Sequence, residues 1–359
     1  MTILYFIAGL ILLVVGANLL IRGSSQIASF FGIPPLIIGL TVVAFGTSAP
    51  ELAVSAKAAL SGSTDLAVGN VVGSNIFNIL FILGISALIS PLVVHYQIIR
   101  QEIPILIGLN ALLFALLLDQ KLGMHESLLL ISLLITYTIF LIIQSKKEPS
   151  QTQDSYAKEF DMQDKVKPRP NIWINLLFVL IGLFLLVLGS DWFVGAAISI
   201  AKTIGVSDAV IGLTIVAAGT SMPEVATSVI AALKGERDIA VGNVIGSNIF
   251  NIIGCLGITG ILAPSGILVP PSVVHFDLWV MFAVSLACIP IFLSGREIAR
   301  WEGGLFVFYY LAYVTYLILA SKDHEALPIY SATMLSFVLP LTIVTLMVMM
   351  LGRSTKNGA

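Results

Sequence analysis

Glu51 and Glu224 are lone carboxylates in otherwise apolar stretches, and the two settings match: GTSAPE over 46–51 and GTSMPE over 219–224. An ionisable side chain among apolar residues is costly to place in a membrane and marks a functional site. Thr47 and Ser48 precede Glu51 by four and three residues, as Thr220 and Ser221 precede Glu224. On a helix, that spacing puts the hydroxyls on the face of the acid. Further on, GNVVGSNIFN carries Ser74 and Asn78, and GNVIGSNIFN carries Ser247 and Asn251, each pair four apart. Carboxylates, hydroxyls and amide oxygens are hard ligands. They suit Ca²⁺, which takes roughly 6–8 oxygens and tolerates irregular geometry, and Na⁺, which is similar in size. With no Cys/His cluster, softer metals are disfavoured. The four histidines, His95, His125, His275 and His324, lie outside these motifs. Two ionised glutamates sharing one site would be neutralised by one Ca²⁺ or by two Na⁺. Mutually exclusive occupancy of that kind is the physical basis of antiport.

The motifs belong to a repeat. Residues 39–84 align with 212–257 without a gap at a constant offset of 173, and 31 of the 46 positions are identical. The chain is 58% hydrophobic and 11% charged, against about 25% charged in a soluble domain, so it is an all-α polytopic membrane protein. Runs of roughly 20 apolar residues occur at 2–21, 33–60, 66–90, 102–118, 125–144, 172–200, 208–234, 239–263, 275–294, 301–320 and 327–351. The first has no basic leader and no small-residue cleavage site, which predicts a membrane helix rather than a signal peptide. Residues 145–170 form the one long polar stretch and read as a solvated linker. Five spans precede it (1–144) and five follow (171–320). An odd number per repeat makes the second copy cross in the opposite sense, giving two inverted five-helix repeats and a ten-helix core. The span at 327–351 is an extra C-terminal helix. With the N-terminus outside, 14 Lys and Arg face the cytoplasm and four face out. This predicts N-out, with the linker and C-terminus cytoplasmic.

Within the second span, Gly46 and Pro50 predict a break, since proline removes an N–H and pushes the preceding residue out of the helix. Carbonyls around Ala44 to Thr47 are freed there, tolerable at membrane depth only beside protein or a water-filled cavity. Pro223 repeats the break in the seventh span. Gly69 with Gly73, and Gly242 with Gly246, allow close backbone approach. Asn75 and Asn248 follow the serines by one residue and so point elsewhere, as stitches between helices.

These motifs resemble the two alpha-repeats of the Ca²⁺/cation antiporter superfamily, most closely its prokaryotic sodium/calcium exchanger branch. The resemblance implies a transporter, not an enzyme, in a prokaryotic cell (inner) membrane, carrying Ca²⁺ and Na⁺ as transported ions without a prosthetic group or nucleic-acid partner. It implies ligands at Thr47, Ser48, Glu51, Ser74 and Asn78, and at Thr220, Ser221, Glu224, Ser247 and Asn251, with the backbone carbonyls of Ala44 and Ala217. It also implies that the first and sixth spans are long, loosely packed helices that slide to gate access. Three departures stand out. Several relatives, including potassium-dependent exchangers, carry Asp at Asn251. The calcium/proton branch carries Glu at Gly73 and Gly246. The eleventh span exceeds the usual core.

The alternative coupling is to H⁺, with Glu51 and Glu224 titrating as Ca²⁺ leaves; Gly73 and Gly246 argue against it. A channel would need a continuous pore rather than broken helices around a central site. A hydrolase would need a His or Lys beside the GTS serines, and neither repeat has one. Blander roles fit the other polar residues. Asp65 and Asp238 follow short turns and suit helix N-termini. Asp191, opposite Asn18 in the repeat, suits a surface. Lys57 snorkels. Cys255 and Cys288 are packing residues, and the linker lacks the acidic spacing of an EF-hand.

Overall fold

The computed structural model describes residues 2–145, 171–203, 217–322 and 324–354. Among them, nine helices are long and apolar enough to cross a membrane, and a bent pair, Pro35–Thr47 with Ala49–Leu60, makes a tenth. The seventh span is described only from residue 217, through Met222–Leu233. The linker beyond residue 145 and the start of the seventh span lie outside the described residues.

The first span runs Thr2–Phe31 and the sixth Ile172–Thr203. The first therefore continues ten residues past its expected end, carrying Arg22 within the helix. Glycine is the reason these two can lie together. Gly9, Gly16 and Gly23 recur at heptad spacing, and the repeat places Gly182 and Gly189 opposite. A Cβ on Gly16 would lie 2.8 Å from Gly182 O, and one on Gly9 2.8 Å from Gly189 O. Backbone meets backbone along this antiparallel seam, as small residues permit in membranes. These helices are tight against each other, and their other faces carry exposed side chains such as Leu10 and Phe184.

The third span, Thr64–Ile89, and the eighth, Arg237–Leu262, form the centre. Side chains such as Ile76, Ile79, Ile245 and Ile249 are fully buried there. The second span lies on the eighth: a Cβ on Gly242 would come 3.0 Å from Leu36 O, and one on Gly246 2.7 Å from Leu40 O. Gly69 and Gly73 hold the matching positions, but the counterparts of Leu36 and Leu40 lie outside the described residues.

Two short antiparallel ladders join the repeats, a feature the sequence reading missed. Leu92–Val93 pairs with Glu297–Ile298, and Lys121–Leu122 pairs with Ile267–Leu268. The first ties the loop after the third span to that after the ninth, the second the loop after the fourth to that after the eighth. The fourth (Ile98–Leu116), fifth (Met124–Ser145), ninth (Val273–Leu293) and tenth (Arg300–Ser321) spans surround the centre.

The eleventh span begins at Leu327 and continues to Ser354. The Tyr309 hydroxyl donates to Thr342 Oγ1 at 2.6 Å, and that of Tyr330 to Ala312 O at 2.8 Å. Between these anchors lies a cavity of about 490 Å³, walled by Ala283, Ala287, Ala312 and Met334 among others. The small alanines leave the space open.

Candidate functional site

The second span bends by 42° between Thr47 and Ala49. Ser48 is the hinge, with φ −83° and ψ 6°, and Pro50 stands in the first turn of the helix beyond. Proline suits that place because its missing N–H has no partner to lose. Ser221 repeats the geometry with φ −86° and ψ 9°, and Pro223 opens the helix that carries Glu224. Each glutamate therefore sits in the first turn of a half-helix, where the positive end of the helix dipole favours a carboxylate. The third span switches to π-helix at Asn78 and the eighth at Asn251. Such widened turns often occur at functional sites.

These elements bring the predicted residues together. Ala44, Thr47, Ser48, Glu51, Ser74, Asn78, Ser221, Glu224, Ser247 and Asn251 are all buried, and Thr220 is half-buried. Ala217 opens the described part of the seventh span. Its counterpart Ala44 keeps more partners than its place at a helix break suggests. Its carbonyl accepts from Ser48 N at 3.0 Å and, at longer range, from the hydroxyls of Thr47 and Ser247.

The direction of the hydrogen bonds is the site's chemical signature. Ser48 Oγ donates to Glu224 Oε1 at 2.9 Å, and Ser221 Oγ to Glu51 Oε1 at 2.6 Å. Thr47 Oγ1 donates to Asn243 Oδ1 at 3.1 Å, and Thr220 Oγ1 to Asn70 Oδ1 at 3.2 Å. All four hydroxyls of the two GTS motifs thus donate across the repeat interface. The amides follow suit. Asn78 Nδ2 donates to Asn248 Oδ1 at 2.9 Å, and Asn251 Nδ2 to Asn75 Oδ1 at 3.1 Å. Asn75 and Asn248 also donate to each other's backbone carbonyl at 3.2 Å, so they are the expected stitch.

What remains is a set of oxygen acceptors. Glu51 Oε2, Glu224 Oε2 and Asn78 Oδ1 are buried with no hydrogen-bond partner among the described residues. Orphaned buried oxygens are costly, and a bound cation would satisfy them. No cluster of three or more His, Cys, Asp or Glu occurs among the described residues. A cation here would meet two carboxylates and otherwise neutral oxygens.

The other charged positions fall outside this cluster. Asp65 and Asp238 stand in the first turns of the third and eighth spans, where the cap positions themselves are Ser63 and Glu236. Asp191 and Lys57 are exposed. A further buried acid, Glu102, accepts from Gln97 just before the fourth span, from Gln101 on it and from Tyr137 on the fifth. Its oxygens are engaged locally, and it is a bracing group. The sequence reading missed Asn70 and Asn243, which open the GN-x-x-G motifs and hold the two threonines.

The sodium/calcium exchanger protein family matches residues 1–143 and 174–319, which include both motifs and stop before the eleventh span. Inner membrane protein YrbG of Escherichia coli (strain K12) is 39% identical over 281 residues, 78% of this chain and 85% of its own. The sodium/calcium exchanger MaX1 of Methanosarcina acetivorans is 32% identical over 343 residues, 88% of this chain and 97% of its own. A solved structure of the sodium-calcium exchanger NCX_Mj, soaked with Na⁺ and Ca²⁺, aligns with a TM-score of 0.73 at 30% identity. It covers 88% of this chain and 97% of that one.

Proposed function

Because the chain belongs to the sodium/calcium exchanger family, we propose that it is a secondary active antiporter exchanging Na⁺ for Ca²⁺ at one site between its inverted repeats. It is a membrane transporter of cations, not an enzyme. The observation that carries the finer reading is where the hydroxyl protons go: those of Thr47 and Thr220 to Asn243 and Asn70, and those of Ser48 and Ser221 onto the two glutamates. Hydroxyls whose protons are already engaged in this way offer lone pairs, which suit a cation and repel a hydrogen-bond donor. The ligands we assign are those oxygens with Glu51, Glu224, Ser74, Asn78, Ser247, Asn251 and the carbonyls of Ala44 and Ala217.

With Glu51 and Glu224 ionised, the site carries two negative charges. One Ca²⁺ or two Na⁺ restore neutrality, so each ion excludes the other. An empty site leaves two buried carboxylates uncompensated, which disfavours crossing without cargo. Alternating access follows if the first and sixth spans shift together along the broken helices, opening the site to one face and then the other. We place the protein in a bacterial inner membrane, like YrbG. The N-terminus lies outside and the 145–170 linker and C-terminus in the cytoplasm, on the distribution of Lys and Arg.

The test uses purified protein in Na⁺-filled proteoliposomes, diluted into Na⁺-free buffer with trace Ca²⁺ and a protonophore. Ca²⁺ uptake that disappears when Na⁺ is equal on both sides is the expected result. Uptake that ignores Na⁺ and follows an imposed pH gradient once the protonophore is omitted moves the assignment to H⁺-coupled exchange.

A further inference from the structure

Asn70 and Asn243 occupy matching places, one on the third span and one on the eighth, 173 residues apart. Each receives the hydroxyl proton of a threonine from the other repeat. Each is itself held by its own repeat. Asn70 Nδ2 donates to Ser55 Oγ at 3.0 Å and to Glu51 O at 3.2 Å. Asn243 Nδ2 donates to Ser228 Oγ at 3.0 Å. Ser55 and Ser228 are again 173 apart, so the chain of serine, amide and threonine is duplicated.

These bonds fix which way each amide faces. The N–H₂ group is engaged with Ser55 or Ser228, so the carbonyl oxygen is the end presented to the threonine. A hydroxyl has one proton and two lone pairs. With the proton drawn into Asn70 or Asn243, the threonine offers only acceptor density to the site. Without that acceptor the Thr220 proton is free to turn inward, where it opposes a cation, and the Thr47 proton keeps only its longer contact with Ala44 O at 3.4 Å.

We propose that Asn70 and Asn243 are positioning residues for ion binding. They act through Thr220 and Thr47 by holding the hydroxyl protons out of the site. Neither is assigned as a ligand, and the inference rests on the ligand role given above to the two threonines. The Asn70 amide also ties the backbone of Glu51 to the threonine across the interface. It thereby sets the spacing between the first-repeat acid and the second-repeat break.

The test is equilibrium binding of radiolabelled Ca²⁺ to the full chain in detergent. It compares wild type, Asn70→Leu, Thr220→Val and the double variant, with Asn243→Leu and Thr47→Val as a second cycle. Asn70→Leu is expected to weaken binding roughly threefold to tenfold, the scale of one lost hydrogen bond. The double variant is expected to bind no more weakly than Thr220→Val alone. Losses that multiply in the double variant, or an Asn70→Leu protein that binds like wild type, overturn the proposal. If the leucine variants do not fold, Asn70→Thr and Asn70→Val run the same comparison, because they share a shape and only threonine can accept the proton. Tighter binding by the threonine form is expected, and equal affinities overturn the proposal. Absence of saturable Ca²⁺ binding by the wild type would instead sink the antiport reading. Wild-type binding that is indifferent to Asn70 sinks only the positioning role.

Discussion

Ser221 Oγ lies 2.6 Å from Glu51 Oε1, a hydroxyl of the second repeat bonded to the acid of the first. Ser48 and Glu224 return the contact at 2.9 Å. Each carboxylate is therefore fixed by the opposite repeat, and each keeps one oxygen without a hydrogen-bond partner among the described residues. Ser48→Ala and Ser221→Ala remove a donor to an acid and an oxygen from the site. Each is expected to weaken Ca²⁺ binding about tenfold to a hundredfold, since hydrogen bonds to charged groups contribute about 1.5–3 kcal/mol. The two losses should be similar, because the contacts are related by the repeat. Calorimetric titration of both variants checks this, and a large effect from only one would show that the halves of the site are not equivalent.

Glu51→Gln and Glu224→Gln keep the shape of the side chain and remove one charge each. A site left with a single negative charge no longer balances Ca²⁺. Both variants are expected to lose Na⁺-dependent Ca²⁺ uptake in proteoliposomes while eluting from a sizing column like wild type. Robust exchange by Glu51→Gln would falsify the shared site.

Asp65→Asn makes the contrasting case. Asp65 lies in the first turn of the third span, away from the hydrogen-bonded cluster. Its charge favours the helix end by about 0.3–1 kcal/mol. The variant is expected to exchange normally and to melt at a slightly lower temperature. Loss of exchange with unchanged melting would bring Asp65 into the transport path.

Much of the architecture was legible because the repeat is nearly exact and because proline and glutamate are conspicuous in apolar sequence. The break at Ser48 follows from Pro50, and the pairing of Glu51 with the second repeat follows from one site serving two copies. Asn75 and Asn248 were placed as stitches by their one-residue offset from the serines. Other features left weaker traces. Asn70 and Asn243 stand in the motifs, yet an amide one turn before the serines reads as packing until the threonines across the interface are located. The ladder between Leu92 and Ile298 is two residues long, too short for any alternating pattern. The glycine seam was in plain view as Gly9, Gly16 and Gly23, a heptad in an apolar helix. Its meaning depends on Gly182 and Gly189 facing it, and that is a tertiary fact.

The eleventh span lies beyond the residues matched by the family and packs on the ninth and tenth spans. It is anchored through Tyr309 and Tyr330 on and against the tenth span. A chain ending after Ser321 is expected to bind Ca²⁺ with wild-type affinity and to melt at a lower temperature, because the apolar faces of the ninth and tenth spans lose their cover. Loss of Ca²⁺ affinity in a folded truncation would tie this helix to the site.

The seam between the first and sixth spans offers the sharpest separation of binding from turnover. Gly16 faces Gly182 O, and a Cβ at Gly16 would stand 2.8 Å from that oxygen and 2.9 Å from Leu186 N. Backbone atoms cannot swing aside as a side chain can, so even alanine must push the two helices apart. Overpacking of this kind costs about 1–3 kcal/mol. The ion site proposed above is carried by the second, third, seventh and eighth spans, and Gly16 is not among the residues assigned to it. Gly16→Val is therefore expected to lower the melting temperature and slow exchange while leaving Ca²⁺ affinity within about twofold of wild type. Uptake rates in proteoliposomes and equilibrium binding in detergent, measured on the same preparation, give the two numbers. Unchanged exchange in a protein that melts lower would show that the seam contributes to stability alone. A parallel loss of affinity would show that the spacing of the first and sixth spans sets the geometry of the site itself.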